Sequence, residues 1–102
     1  MKGSVRVLVH LRVPPGEEAR VEDIYHRISR ELDGTPGLVR NELLRGFHAP
    51  DEWAVMSEWQ NAAAFREWES GSDHRDTTAP LRPYQNRDLT SVFGVYEVEA
   101  EH

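Results

Sequence analysis

The chain has 102 residues, 38% hydrophobic and 29% charged, with a net charge of −6 and a pI near 5.3. That acidic balance argues against a nucleic-acid binder, which carries a basic stripe; Arg27, Arg30, Arg40 and Arg45 are interleaved with acids. The absence of cysteine excludes disulfides, thiol nucleophiles and Cys-ligated metal centres and fits a cytoplasmic protein, while Met1 to Val13 lacks the pattern of a signal peptide and no apolar run reaches the roughly 20 residues of a membrane span.

The segment from Ser4 to Val13 alternates strictly. Val5, Val7, Val9, Leu11 and Val13 fall on one face and Arg6, Leu8, His10 and Arg12 on the other, the pattern of a half-buried strand. Pro14-Pro15-Gly16 ends it, because proline cannot donate to a ladder. A helix is predicted from about Glu17 to Leu32, with Val21, Ile24, Tyr25, Ile28 and Leu32 at helical spacing. Its first turn holds Glu17 and Glu18, where acids suit the helix dipole. Asp33-Gly34-Thr35-Pro36-Gly37 supplies the stop.

A second strand runs from Leu38 to Phe47, and a third from Trp53 to Trp59 with Trp53, Val55, Ser57 and Trp59 on one face. The short loop His48 to Glu52 makes the two antiparallel neighbours. Asn61 is the predicted N-cap of a second helix carrying Ala62, Ala63, Ala64, Phe65 and Trp68. Ser70-Gly71-Ser72-Asp73 breaks it, with another turn expected from Asp73 to Thr78. Pro80, Pro83 and Asn86 punctuate a loop, and a last strand is predicted from Thr90 to Val98.

The order is β-α-β-β-α-β, a ferredoxin-like α+β fold in one domain over residues 1–102, with an antiparallel sheet and both helices on one face. Nothing remaining in the chain could cover the other face, and a domain this short has a thin core of its own. Pairing of two copies through their open sheet faces, as a homodimer, is the economical solution.

Two stretches resemble a known family. One is Pro15-Gly16, a helix, then Thr35-Pro36-Gly37-Leu38; the other is Met56-Ser57-Glu58-Trp59-Gln60-Asn61, then Ala64-Phe65, Trp68, Ser70 and His74. With the strand order, they resemble the antibiotic-biosynthesis-monooxygenase family of the dimeric α/β-barrel superfamily, over roughly Val5 to Val98. The resemblance implies a pocket between sheet and helices. It also implies one of several reactions: oxidation of anthrones and related phenols to quinones without metal or flavin, haem cleavage, or polyketide cyclisation and isomerisation. In the anthrone-oxidising members a tryptophan ends the third strand, as Trp59 does. Their asparagine four residues earlier corresponds to Val55, and their tyrosine six residues later to Phe65. Haem-degrading members have a tryptophan matching Trp68, but their ligating histidine would fall at Thr78 rather than His74. A plant cyclase of the superfamily has its catalytic histidine fifteen residues after an aromatic ending strand three, as His74 follows Trp59, while its catalytic tyrosine matches Trp68.

Cofactor-free oxygenation needs a base, an apolar cavity and donors for a developing oxyanion. Histidine is the best base near neutrality. His74, at a helix break, is the leading candidate and His10 the second. Trp59, Trp68 and Phe65 are predicted to line the substrate site, with Asn41, Arg40 and Arg82 as oxyanion donors. Trp59 at a strand end and Trp68 on an amphipathic helix also satisfy what a hydrophobic core requires. No cofactor is expected: there is no His-x-His pair or His-Glu-x-x-His helix for a metal, and no glycine-rich phosphate loop. No Gly-x-Ser-x-Gly elbow supports a serine hydrolase either. The leading expectation is a cofactor-independent monooxygenase acting on a small aromatic substrate with O2. The alternatives are a polyketide cyclase or isomerase, which would work anaerobically, and a non-catalytic dimeric accessory protein.

Overall fold

The valine row of the first strand sits at the centre of everything else. In the computed structural model, which describes residues 1–71 and 77–102, β1 (Val5–Arg12) is an inner strand of a four-stranded antiparallel sheet. With β2 (Leu38–Arg45), β3 (Glu52–Trp59) and β4 (Phe93–Glu97), the order is β2-β3-β1-β4. Val5, Val7, Leu11 and Val13 are buried beneath the helices, as the alternation requires. The chain has the ferredoxin-like α+β fold expected from its sequence.

Helix α1 (Glu18–Leu32) buries Val21 and Ile28, with Ile24 and Leu32 beside them. No side chain caps it from Glu17; instead the Glu18 carboxylate accepts from the Gly16 N–H at 2.6 Å. The backbone hydrogen bonds from Glu18 and Gly16 hold the Glu18 carboxyl below its ordinary pKa. Helix α2 (Ala62–Ser70) begins as predicted: Asn61 is extended and its Oδ1 accepts from the Ala64 N–H at 2.9 Å. Between the helices, Gly37 has φ +81° and its carbonyl accepts from the Gln60 N–H at 2.8 Å. A Cβ at Gly37 would collide with that of Ala64, so this glycine lets α2 seat against the start of β2.

Three departures from the sequence expectation position the site. The first is a register irregularity between Leu38 and Arg40, where β2 pairs Leu38 with Trp59 but Arg40 with Glu58. The extra residue reverses the alternation. Leu38 packs on the helix side, yet so do Asn41 and Leu43, while Arg40 goes to the open face.

Second, the punctuated loop contains a 3-10 helix, Ala79–Tyr84, that buries Leu81 against α1 and the sheet. Leu81 and Tyr84 lie three residues apart and therefore on one side of such a helix. Tyr84 Oη donates to Glu17 Oε1 at 2.8 Å, tying this helix to the start of α1. Third, β4 is shorter than the predicted Thr90–Val98. Gln85 and Asn86 take over the upper edge of β1: Gln85 bridges Leu11, and the Asn86 N–H donates to the His10 carbonyl at 2.9 Å.

The open face presents Leu8, Met56, Leu44, Ala54 and Tyr96 between charged residues, as the pairing registers place them. Glu58 is paired there with Arg40 at 3.1 Å and Arg6 at 3.6 Å. Among the described residues, no helix is long and apolar enough to cross a membrane.

Gly37→Ala combines a left-handed backbone position with a steric collision, so it is expected to lower stability by about 2 kcal/mol. Adding Ala64→Gly is expected to restore the part due to the collision. Urea denaturation of the single and double variants separates the two contributions.

Candidate functional site

The buried side chains form two clusters rather than one. Leu11, Val13, Val21, Ile28, Trp53 and Leu81 pack under α1 and the 3-10 helix; Val5, Val7, Trp59 and Phe65 pack under α2. Between them lies a cavity of about 270 Å3. Its floor is the middle of the sheet, with Val7, Val9, Val55, Ser57 and Asn41. α1 contributes Tyr25, Ile28, Ser29 and Leu32; the 3-10 helix and its exit contribute Leu81, Arg82 and Gln85.

The aromatic residues lie together. Trp59, one of the most buried side chains, stands 5.2 Å from Trp68 and 5.7 Å from Phe65 between ring centroids, and Phe65 and Trp68 are 6.2 Å apart. The two indoles are in mutual contact, so no ligand fits between them. They make a single wall, and Ile28, Leu32 and Leu81 come to the cavity from α1 and the 3-10 helix.

Polar groups on the floor are joined in pairs. Trp59 Nε1 donates to Ser57 Oγ at 2.9 Å, so this indole N–H is engaged within the protein rather than offered to a ligand. Ser29 Oγ donates to Asn41 Oδ1 at 2.9 Å, and Tyr25 Oη donates to the Asn41 carbonyl at 3.1 Å.

Of the residues singled out in the sequence, Trp59, Trp68, Phe65, Asn41 and Arg82 all line this cavity. His74 lies outside the described residues. His10 pairs with Ala54 on the far face of the sheet and does not line the cavity, because the period-2 alternation that turns Val9 inward turns His10 outward. Arg40 likewise lies on the open face, bound to Glu58. Val55 and Phe65, at the two positions where the anthrone-oxidising members have polar side chains, are both in the lining. Sequence reasoning missed Ser57, Ser29, Tyr25 and Gln85 as lining residues. Ser57 carried a usable signal, a hydroxyl on the otherwise apolar face of the third strand. Among the described residues, no group of three His, Cys, Asp or Glu side chains could hold a metal ion.

An antiparallel sheet with two helices over one face and a ligand-sized hollow beneath them defines a ferredoxin-like, cavity-bearing α+β protein. Residues 4–80 match the family model described as antibiotic biosynthesis monooxygenase, and the chain belongs to that family. It is similar to protein SchA of Streptomyces halstedii, 31% identical over 97 residues, which cover 95% of this chain and 26% of that protein. It also resembles a 42.8 kDa protein in the whiE locus of Streptomyces coelicolor, 36% identical over 77 residues, covering 76% of this chain and 19% of the other. The chain thus spans about a quarter or less of the length of these curated relatives. Among solved structures, it shares the fold of SnoaB, a cofactor-independent oxygenase from Streptomyces nogalater. The TM-score is 0.75 at 22% identity, covering 97% of this chain and 96% of that one.

The hydrogen bond to Glu17 raises the pKa of Tyr84. A tyrosine raised in the folded state contributes stability in full below its unfolded value of about 10 and loses it as pH rises through the higher folded value. Thermal melts from pH 8 to pH 11 are therefore expected to show a steeper alkaline loss for the wild type than for Tyr84→Phe. The difference is expected to be small, because the pair is solvent-screened.

Proposed function

We propose that the cavity is the active site of a cofactor-independent monooxygenase that oxidises a phenolic or polyketide-type aromatic compound. The observation that carries this reading is the cavity itself: an apolar enclosure with an aromatic wall and a few polar groups on its floor. At about 270 Å3 it sits at the small end of ligand pockets, which suits two or three fused rings rather than a macrocycle. Family membership and the fold shared with the oxygenase SnoaB support the same chemistry.

In this reading a base removes a proton from an activated CH2 of the substrate, giving a carbanion delocalised onto the oxygen of a conjugated ring carbonyl as a phenolate or enolate. O2 adds at that carbon, the proton completes a hydroperoxide, and loss of water leaves a carbonyl. The balance is CH2 plus O2 giving C=O plus H2O, so the substrate supplies all the electrons and no separate reductant enters. His74 is the proposed base from its place in the sequence. Trp59, Trp68 and Phe65 hold the rings, and Asn41 and Arg82 are the proposed polar contacts.

A second reading has a specific observation behind it. Val55 and Phe65 leave two lining positions apolar, which favours a non-catalytic accessory binding role. We also propose that two copies pair through the open face, where Leu44 and Tyr96 are exposed beside Leu8 and Met56.

With an anthrone as substrate, the protein is expected to consume one O2 per quinone formed. His74→Ala is expected to lower kcat by roughly 10²-fold or more. Absence of O2 uptake above background, or turnover that continues anaerobically, counts against the oxygenase. For the dimer, sedimentation is expected to show two chains for the wild type and one for Met56→Glu.

A further inference from the structure

Asn41 and Ser57 are direct register partners on β2 and β3, and both line the cavity. Residues directly opposed in an antiparallel pair have Cβ atoms about 5 Å apart, close enough for both side chains to reach one ligand atom. Each has one half engaged and one half spare. Ser57 Oγ accepts from Trp59 Nε1, and its own O–H hydrogen has no acceptor among the described residues. Asn41 Oδ1 accepts from Ser29, and its Nδ2 hydrogens have no acceptor among the described residues. Asn41 Nδ2 has no partner among the described residues and is not fully buried, and Ser57 shares the cavity lining with it.

We propose that the Ser57 hydroxyl and the Asn41 carboxamide form a two-donor site for the phenolate or enolate oxygen of the substrate. The inference deepens the function proposed above and rests on it for the identity of the ligand. Its parts are arranged for a charge that develops after binding. A hydroxyl that already accepts from an indole N–H is polarised and donates more strongly. Ser29 is a positioning residue: by occupying Oδ1 it fixes which end of the Asn41 carboxamide faces the ligand. Tyr25 donates to the backbone carbonyl of the same residue, so two side chains of α1 hold Asn41. The register irregularity before Arg40 completes the site, since without it Asn41 would face away from Ser57's side of the sheet.

The probe is 4-nitro-1-naphthol, a flat phenol whose anion is coloured, titrated spectroscopically while bound. Its apparent pKa is expected to be lower on the wild-type protein than in buffer, and Ser57→Ala and Asn41→Leu are each expected to raise it by about one. In anthrone turnover each is expected to lower kcat roughly tenfold to hundredfold with little change in KM. Ser29→Ala is expected to raise the bound-probe pKa by a smaller amount. If Ser57→Ala does not fold, because it orphans the Trp59 N–H, Ser57→Cys keeps the size with a weaker donor and serves the same comparison. A bound probe that titrates as in buffer, fails to bind the wild type, or is indifferent to both substitutions overturns the donor pair. If the titration responds as expected while no O2 is consumed, the donor pair stands and the oxygenase reading falls.

Discussion

The two helices of this chain do not close over the middle of the sheet, and a cavity is left beneath them. Here α1 packs over one half and α2 over the other, and the apolar surface divides into two clusters. Mid-sheet side chains such as Val9 and Val55 pack against the α1 cluster and also line the cavity. The cavity exists because of this division. An unfilled apolar space forfeits packing that a continuous core would have gained, and that loss is understandable where a ligand restores the missing contacts.

What closes the hollow is as informative as what opens it. The 3-10 helix inserts Leu81 at one end, with Tyr84 anchoring it to Glu17, while Phe65 and Trp68 close the other from α2. The polar groups linked at the cavity come from three different elements: Ser57 from β3, Asn41 from β2 and Ser29 from α1. Each is oriented by a neighbour rather than left to rotate. That is the arrangement by which a site holds donors ready without reorganisation when charge appears.

The two faces of the sheet use the same alternation for different purposes. Inward positions build the core and the cavity. Outward positions combine exposed apolar side chains with the Arg6–Glu58–Arg40 cluster, in which a largely buried carboxylate is held between two guanidinium groups. His10 belongs to this second surface, and its backbone is held by Val92 and Asn86 rather than by anything at the cavity.

The amino-acid sequence by itself determined the element order, the inward row of β1, the α1 face and the Asn61 cap, because each depends on periodicity or on bonding within a few residues. It also pointed to Trp59, Phe65, Trp68, Asn41 and Arg82, aromatic or polar residues near the ends or faces of those elements. Only the tertiary structure decided that the two indoles form one wall, that Trp59 spends its N–H on Ser57, and that Asn41 rather than Arg40 turns inward. The 3-10 helix was hidden because Pro80 and Pro83 read locally as loop, while its stability comes from burying Leu81 against distant α1 and β1 residues. Register is set by partners far along the chain and ring packing by how α2 folds back onto β3, and a local pattern carries no record of which strand lies alongside or where one extra residue has been inserted.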